Sequence, residues 1–209
     1  MPLRPAHGQR IRAIVFDLGN VLVGLESWKM VRSLARKSRR GPLGVLAAYL
    51  SRGQGRAYET GRISSQTFYR RMQRRIGFRG AYRTFARTWN RMFVKRPAVE
   101  ALLQKLSKRY RIVFLSDTNP LHYRFVRKRF PALTRAHAWV LSYRVGCLKP
   151  DARMFARALK KAGTAAHETF FVDDKSVNVR MARRLGFHAV RYRSLMQLKR
   201  ALRREGVTW

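Results

Sequence analysis

A chain with 47 lysines and arginines keeps only five aspartates, Asp17, Asp117, Asp151, Asp173 and Asp174. Each stands just after an apolar run or at the opening of the helix that follows. Asp17 closes the run AIVF and precedes LGN, a glycine-containing turn that leaves a carboxylate facing water at the end of a strand. Asp173 and Asp174 close FFV in the same way, and two adjacent acids repel each other unless a cation relieves them. An acid at one strand end with two partners at another points to a functional site in preference to a turn cap.

Those positions need a frame to bring them together. Ala13 to Phe16, Ile112 to Leu115, Ala138 to Leu141, Phe170 to Val172 and Ala189 to Tyr192 read as short strands, being apolar and rich in β-branched or aromatic residues. Helical patterns separate them: Pro97 to Lys108, Pro120 to Arg129, Pro150 to Ala162, Ser176 to Leu185 and Ser194 to Arg204. Three open with proline in the first turn, and Gly163 and Gly186 stand where helices stop. The alternation predicts an α/β fold, a doubly wound parallel sheet, with its site at the carboxyl ends of the strands. Asp17, Ser116, Asp117, Asp173 and Asp174 fall on that edge.

One interval breaks the alternation. From about Gly24 to Lys95 the sequence shows amphipathic helices and no convincing strand, which predicts an inserted helical cap above the Asp17 turn. The expected organisation is an amino-terminal arm at 1–11, the α/β core at 12–23 and 96–209, and the helical cap at 24–95.

Composition sets limits. With 46% hydrophobic and 11% aromatic residues, the chain is expected to fold despite its charge. A single cysteine, Cys147, forms no internal disulfide, and no signal-peptide-type segment follows Met1-Pro2-Leu3-Arg4, so the expected setting is reducing and cytoplasmic. The run RKSRRGPLGVLAAYL (36–50) resembles a basic region leading into a hydrophobic one. Its apolar part is about half the roughly 20 residues of a spanning helix, which predicts a buried cap helix and no membrane insertion. The formal charge of +37 predicts non-specific attraction of nucleic acids and other polyanions at low salt. No zinc-finger spacing or aromatic-basic interleaving supports sequence-specific recognition.

Four motifs in order, FDLGNVLV, VFLSDTN, CLKPD and FFVDDKSVN, resemble the haloacid dehalogenase-like hydrolase superfamily, mostly Mg²⁺-dependent phosphatases. The cap stretches YETGRIS and TWNRMF are similar to those of its branch containing bacterial α-glucose-1-phosphate phosphatases. The resemblance implies hydrolysis of a small phosphorylated metabolite, such as a sugar 1-phosphate, through an aspartyl-phosphate on Asp17. It implies Mg²⁺ held by Asp17, Asp173, Asp174 and the Gly19 carbonyl, and Lys149 balancing charge. Ser116 would bind a phosphate oxygen, although its place before the Pro120 helix also suits a cap, as do those of Asp117 and Asn119. Asp117, Asn119, Lys149 and, from the lid, Glu59 and Trp89 complete the expected phosphate and substrate contacts. Asn178 stands where it could orient the metal acids, and His122 and Cys147 read as structural. The pattern departs at Gly19, where most members carry the acid that protonates the leaving group. That departure favours a hemiacetal leaving group, or else a weakened hydrolase scaffold serving as a polyanion- or RNA-binding protein.

Overall fold

The computed structural model describes residues 10–209; most of the expected arm at 1–11 lies outside the described residues. In chain order the first half holds β1 (Ala13–Phe16), β2 (Gly24–Leu25), α1 (Ser27–Ala35), α2 (Pro42–Leu50), α3 (Gln54–Glu59), α4 (Ser65–Ile76), α5 (Tyr82–Trp89) and β3 (Phe93–Val94). Then come α6 (Pro97–Leu106), β4 (Arg111–Ser116), α7 (Pro120–Arg129), β5 (Ala138–Leu141), α8 (Ser142–Val145) and α9 (Ala152–Ala162). The chain closes with β6 (Thr169–Asp173), α10 (Ser176–Arg184), β7 (His188–Arg191) and α11 (Leu195–Arg204).

Five strands form one parallel sheet in the order β5-β4-β1-β6-β7. Period-two alternation divides its side chains between two faces. Ile14, Phe16, Ile112, Phe114 and Val172 pack with Leu102, Leu103, Val126 and Leu198 from α6, α7 and α11. Ala13, Val15, Val113, Leu115 and Phe171 pack with Met154, Phe155, Ala158 and Ala182 from α9 and α10. Both faces are therefore covered, as a doubly wound parallel sheet requires. The register that matters for chemistry is Phe16 opposite both Phe114 and Val172. It carries Asp17 and Asp173 to the same height on neighbouring strands, and the Asp17 amide donates to the Val172 carbonyl at 2.8 Å.

Between β1 and α6 the helices α1 to α5 form the cap, built around aromatic rings. Phe68 stacks on Tyr58 at 4.3 Å and meets the edge of Trp89 at 4.9 Å. Leu121 of α7 joins the same apolar cluster and ties the cap to the core.

Several local expectations are corrected. The cap interval does contain strands: β2 and β3 pair antiparallel, Gly24 with Val94 and Leu25 with Phe93, closing the neck where the chain enters and leaves. Two residues are too few to show a periodicity in sequence. Helix α9 begins at Ala152; Pro150 precedes it in a cis Lys149–Pro150 peptide, and Asp151 caps the helix by accepting the Arg153 amide at 2.9 Å. Helix α2 is buried only on one side, with Leu43 75% and Leu50 65% exposed. Among the described residues no helix is long and apolar enough to cross a membrane.

Candidate active site

The turn after β1 begins the site. Asn20 adopts a positive φ of 57°, a conformation that asparagine tolerates better than most residues. From that turn its side-chain amide donates to Asp174 Oδ2 at 3.0 Å. The turn is thereby locked to the end of β6, where Asp173 and Asp174 lie. Carboxylate oxygens of Asp17, Asp173 and Asp174 all come within 4.8 Å of one another.

Lys149 enters this group from the loop before α9. Its ammonium donates to Asp17 Oδ1 at 2.7 Å, Asp173 Oδ2 at 2.6 Å and the Leu115 carbonyl at 3.0 Å. All three partners suit a –NH₃⁺ group, which has three donors and no acceptor. Burial works against the charge on Lys149, but Asp17 and Asp173 more than offset it and hold its pKa above the ordinary lysine range. Burial pushes the Asp17 carboxyl up; Lys149 opposes that shift and the neighbouring Asp173 adds to it. The Lys149 backbone is fixed as well, since its amide donates to Asp117 Oδ1 at 2.9 Å.

Asp173 is fully buried and heavily engaged. Asn178 donates to both its oxygens at 3.0 Å, and the Lys175 amide donates to Oδ1 at 2.8 Å. With Lys149 also bound, its carboxylate is held in one orientation, whereas Asp17 and Asp174 keep freer oxygens. Oxygen donors alone, with two or three carboxylates at an open edge, fit a small hard dication such as Mg²⁺.

A pocket of about 90 Å³ opens at this point, lined by Asp17, Gly19, Asp117, Lys149 and Asp174, and closed by Asn20, Leu25, Lys175 and Asn178. Its size matches that of a phosphoryl group. Leu25 belongs to β2, so the neck of the cap forms part of the wall. A Cβ at Gly19 would come 2.7 Å from Leu25 Cδ1, so a larger residue there would require the Leu25 side chain to shift.

The remaining expected residues lie beyond that lining. Ser116 is the buried last residue of β4, in register with Leu141. Asn119 caps α7, its Oδ1 accepting the His122 amide at 3.0 Å while its Nδ2 meets His122 Nδ1 at 3.1 Å. Trp89 is buried in the cap and stacks on His122 at 5.5 Å. Glu59, at the end of α3, accepts the Tyr49 hydroxyl at 2.8 Å, and burial raises its carboxyl above the usual range, as it does that of Asp117. The Cys147 thiol is buried and its pKa is raised, first by burial and then by Asp151.

Sequence reasoning missed three contributors. Asn20 was visible only as a turn residue. Ser142 Oγ lies 2.7 Å from the Glu59 carbonyl and 3.0 Å from that of Thr118, and it accepts the Thr118 amide at 2.9 Å. It pins the cap to the core loop beside Asp117, at a separation of 83 residues that no local pattern signals. Tyr49 lies in the apolar run of α2, which gave no polar cue.

A sequence model of the haloacid dehalogenase-like hydrolase family matches residues 11–186. The chain belongs to this family. A D-ribitol-5-phosphate phosphatase of Bacteroides thetaiotaomicron is 28% identical over 185 residues, covering 85% of this hydrolase and 89% of the relative. A haloacid dehalogenase family enzyme of the same organism, solved in complex with magnesium and inorganic phosphate, superposes with a TM-score of 0.82 at 25% identity, covering 90% of this chain and 98% of that one. A predicted family hydrolase from Porphyromonas gingivalis gives a TM-score of 0.80 at 26% identity, covering 92% and 98%.

Proposed function

We propose that this hydrolase releases phosphate from a small phosphorylated sugar or sugar alcohol, with Asp17 as nucleophile. The observation that carries the reading is Lys149, seated 2.7 Å from Asp17 and 2.6 Å from Asp173 beside Asp174, in a pocket of phosphoryl size. Such a cluster can hold an anion against a carboxylate that must attack it. An Asp17 oxygen forms a bond to phosphorus as the bond to the leaving oxygen breaks, giving an aspartyl-phosphate. Water then attacks phosphorus, freeing Asp17 and inorganic phosphate. Asp17, Asp173, Asp174 and the Gly19 carbonyl would hold Mg²⁺, which would supply positive charge against the transferring group and favour ionised Asp17. Lys149 screens Asp17 from the phosphate oxygens, and Asn178 keeps Asp173 oriented. Ser116, Asp117 and Asn119 support the phosphate edge, and Glu59 and Trp89 belong to the cap that covers the substrate.

Gly19 narrows the substrate. Without an acid two residues after Asp17, the leaving oxygen departs with little help, which favours the hemiacetal oxygen of a sugar 1-phosphate. The named activity of the Bacteroides relative supports the broader class of small phosphorylated polyols. A polyanion- or RNA-binding role on the same scaffold is supported by the charge of +37, which serves non-specific attraction equally well.

The test is phosphate release from a panel of sugar and polyol phosphates, with Mg²⁺ and with a chelator. Release should require the metal, and 1-phosphates should turn over faster than 6-phosphates of the same sugars. Gly19→Asp combined with Leu25→Ala, which clears the space, should narrow that gap by roughly tenfold by accelerating the slower class. Equal rates for both classes in the natural enzyme would remove the leaving-group argument, and no release from any substrate would remove the phosphatase reading.

A further inference from the structure

Helix α2 is apolar on every side, with sequence PLGVLAAYL, a composition normally reserved for a helix enclosed all round. Val45 and Ala48 are buried in the cap, and Tyr49 packs against the same cluster. Leu43, Leu46, Ala47 and Leu50 follow the spacing i, i+3, i+4, i+7 along the opposite side, and all four are exposed. Three exposed leucines on one helix stripe form a patch that needs a cover.

The surroundings say which cover. Arg36, Lys37, Arg39 and Arg40 are exposed immediately before the helix, and no acidic residue occurs between Glu26 and Glu59. Along the flank of the stripe runs a groove of about 430 Å³ whose walls include Arg40, Arg75, Gly44 and Ala47. The Arg40 guanidinium donates to the Arg75 carbonyl at 3.1 Å, holding these walls together. Apolar side chains bordered by unopposed cations match the two layers of an anionic bilayer surface, acyl chains below and headgroup phosphates beside them. A second copy of this chain would set the same arginines against one another, in a molecule of net charge +37. Nucleic acid would satisfy the arginines and leave the leucines in water. At nine residues the helix is about 13–14 Å long, so it would lie in the plane of the surface without spanning.

We propose that the outer face of α2 docks the enzyme on anionic lipid surfaces, with Leu43, Leu46 and Leu50 entering the interface and the basic segment before them meeting headgroup phosphates. The experiment is co-sedimentation of the full chain with phosphatidylcholine vesicles, with and without phosphatidylglycerol, at about 0.15 M salt, where simple charge attraction is screened. The natural protein should sediment with the anionic vesicles and much less with the neutral ones. Leu43→Ser/Leu46→Ser/Leu50→Ser should bind anionic vesicles about tenfold more weakly, with an unchanged circular dichroism spectrum. The double variant Leu43→Ser/Leu50→Ser, changing the two most exposed leucines, serves if the triple variant does not fold, and should weaken binding in the same direction. Undiminished vesicle binding by these variants would overturn the proposal, because the overall charge would then account for adsorption. So would a natural protein that stays in the supernatant, or one that is a dimer in solution and becomes monomeric on leucine replacement.

Discussion

The sheet core and the cap solve the burial problem differently. In the core, aliphatic and aromatic residues alternate across a parallel sheet whose carboxyl edge concentrates an ionic cluster of Asp17, Lys149 and Asp173. In the cap the largest buried side chains are rings, Tyr58, Phe68, Phe85 and Trp89, packed among aliphatic residues, and among the described residues its buried acid chemistry is confined to Glu59 with Tyr49. One region holds charges in place by register; the other supplies shape. The contrast teaches that a mutation's effect here should depend on which device it touches: activity with little loss of fold at the edge, fold with delayed loss of chemistry in the cap.

Asp17→Asn tests the first half with the largest expected effect. It keeps the size of the side chain but removes the attacking carboxylate and weakens the metal set, so turnover should fall by roughly 10³-fold or more while the melting temperature changes little. A chelator should produce the same loss reversibly in the natural enzyme.

Phe68→Ala tests the second half. The ring is fully buried among Tyr49, Tyr58, Phe85 and Trp89, and its removal should cost roughly 3–5 kcal/mol in denaturant unfolding. If the cap unfolds separately, the loss should show first in cap probes such as Trp89 fluorescence. A variant as stable as the natural protein would mean that the aromatic cluster does not hold the cap.

The seam between the two regions gives a smaller, pH-dependent effect. His122 of α7 stacks on Trp89 and meets the edge of Phe93 at 4.9 Å, with Nε2 buried and unpartnered. Burial lowers its pKa from 6.5 to about 3. In the unfolded chain the ring takes up a proton below about pH 6.5, while the folded seam resists until about pH 3, so stability is lost as the pH falls through that window. The loss between pH 7 and 4.5 should be roughly 2–3 kcal/mol. His122→Phe retains the stack without the proton, and the difference between the two proteins should grow on acidification by that amount.

What the sequence made legible follows the same division. Asp17, Asp173 and Asp174 were readable because each ends a run whose strand character is local, and acids are so rare in this chain that their placement carries meaning. The doubly wound parallel class of the sheet was readable through the alternation of strands with helices, whereas the strand order was not. Ser142 and Asn20 were not, because their partners Glu59, Thr118 and Asp174 are brought to them only by the closed fold. Helix α3 escaped notice because Gly53 precedes and Gly55 lies within a six-residue element, too short for a helical period to emerge. Asn119 and Trp89 show the opposite effect: residue types that suggest ligand contact are engaged in a helix cap and a ring stack.

The central claim is that Asp17 carries the phosphoryl group between the two halves of the reaction. The direct measurement is to quench the enzyme during steady turnover with Mg²⁺ and its best panel substrate, reduce with borohydride and map the peptides by mass. An aspartyl-phosphate is reduced to homoserine, so the account predicts homoserine at position 17, absent when substrate or Mg²⁺ is omitted. Steady phosphate release with no modification at Asp17, or with the modification on another carboxylate, would contradict it.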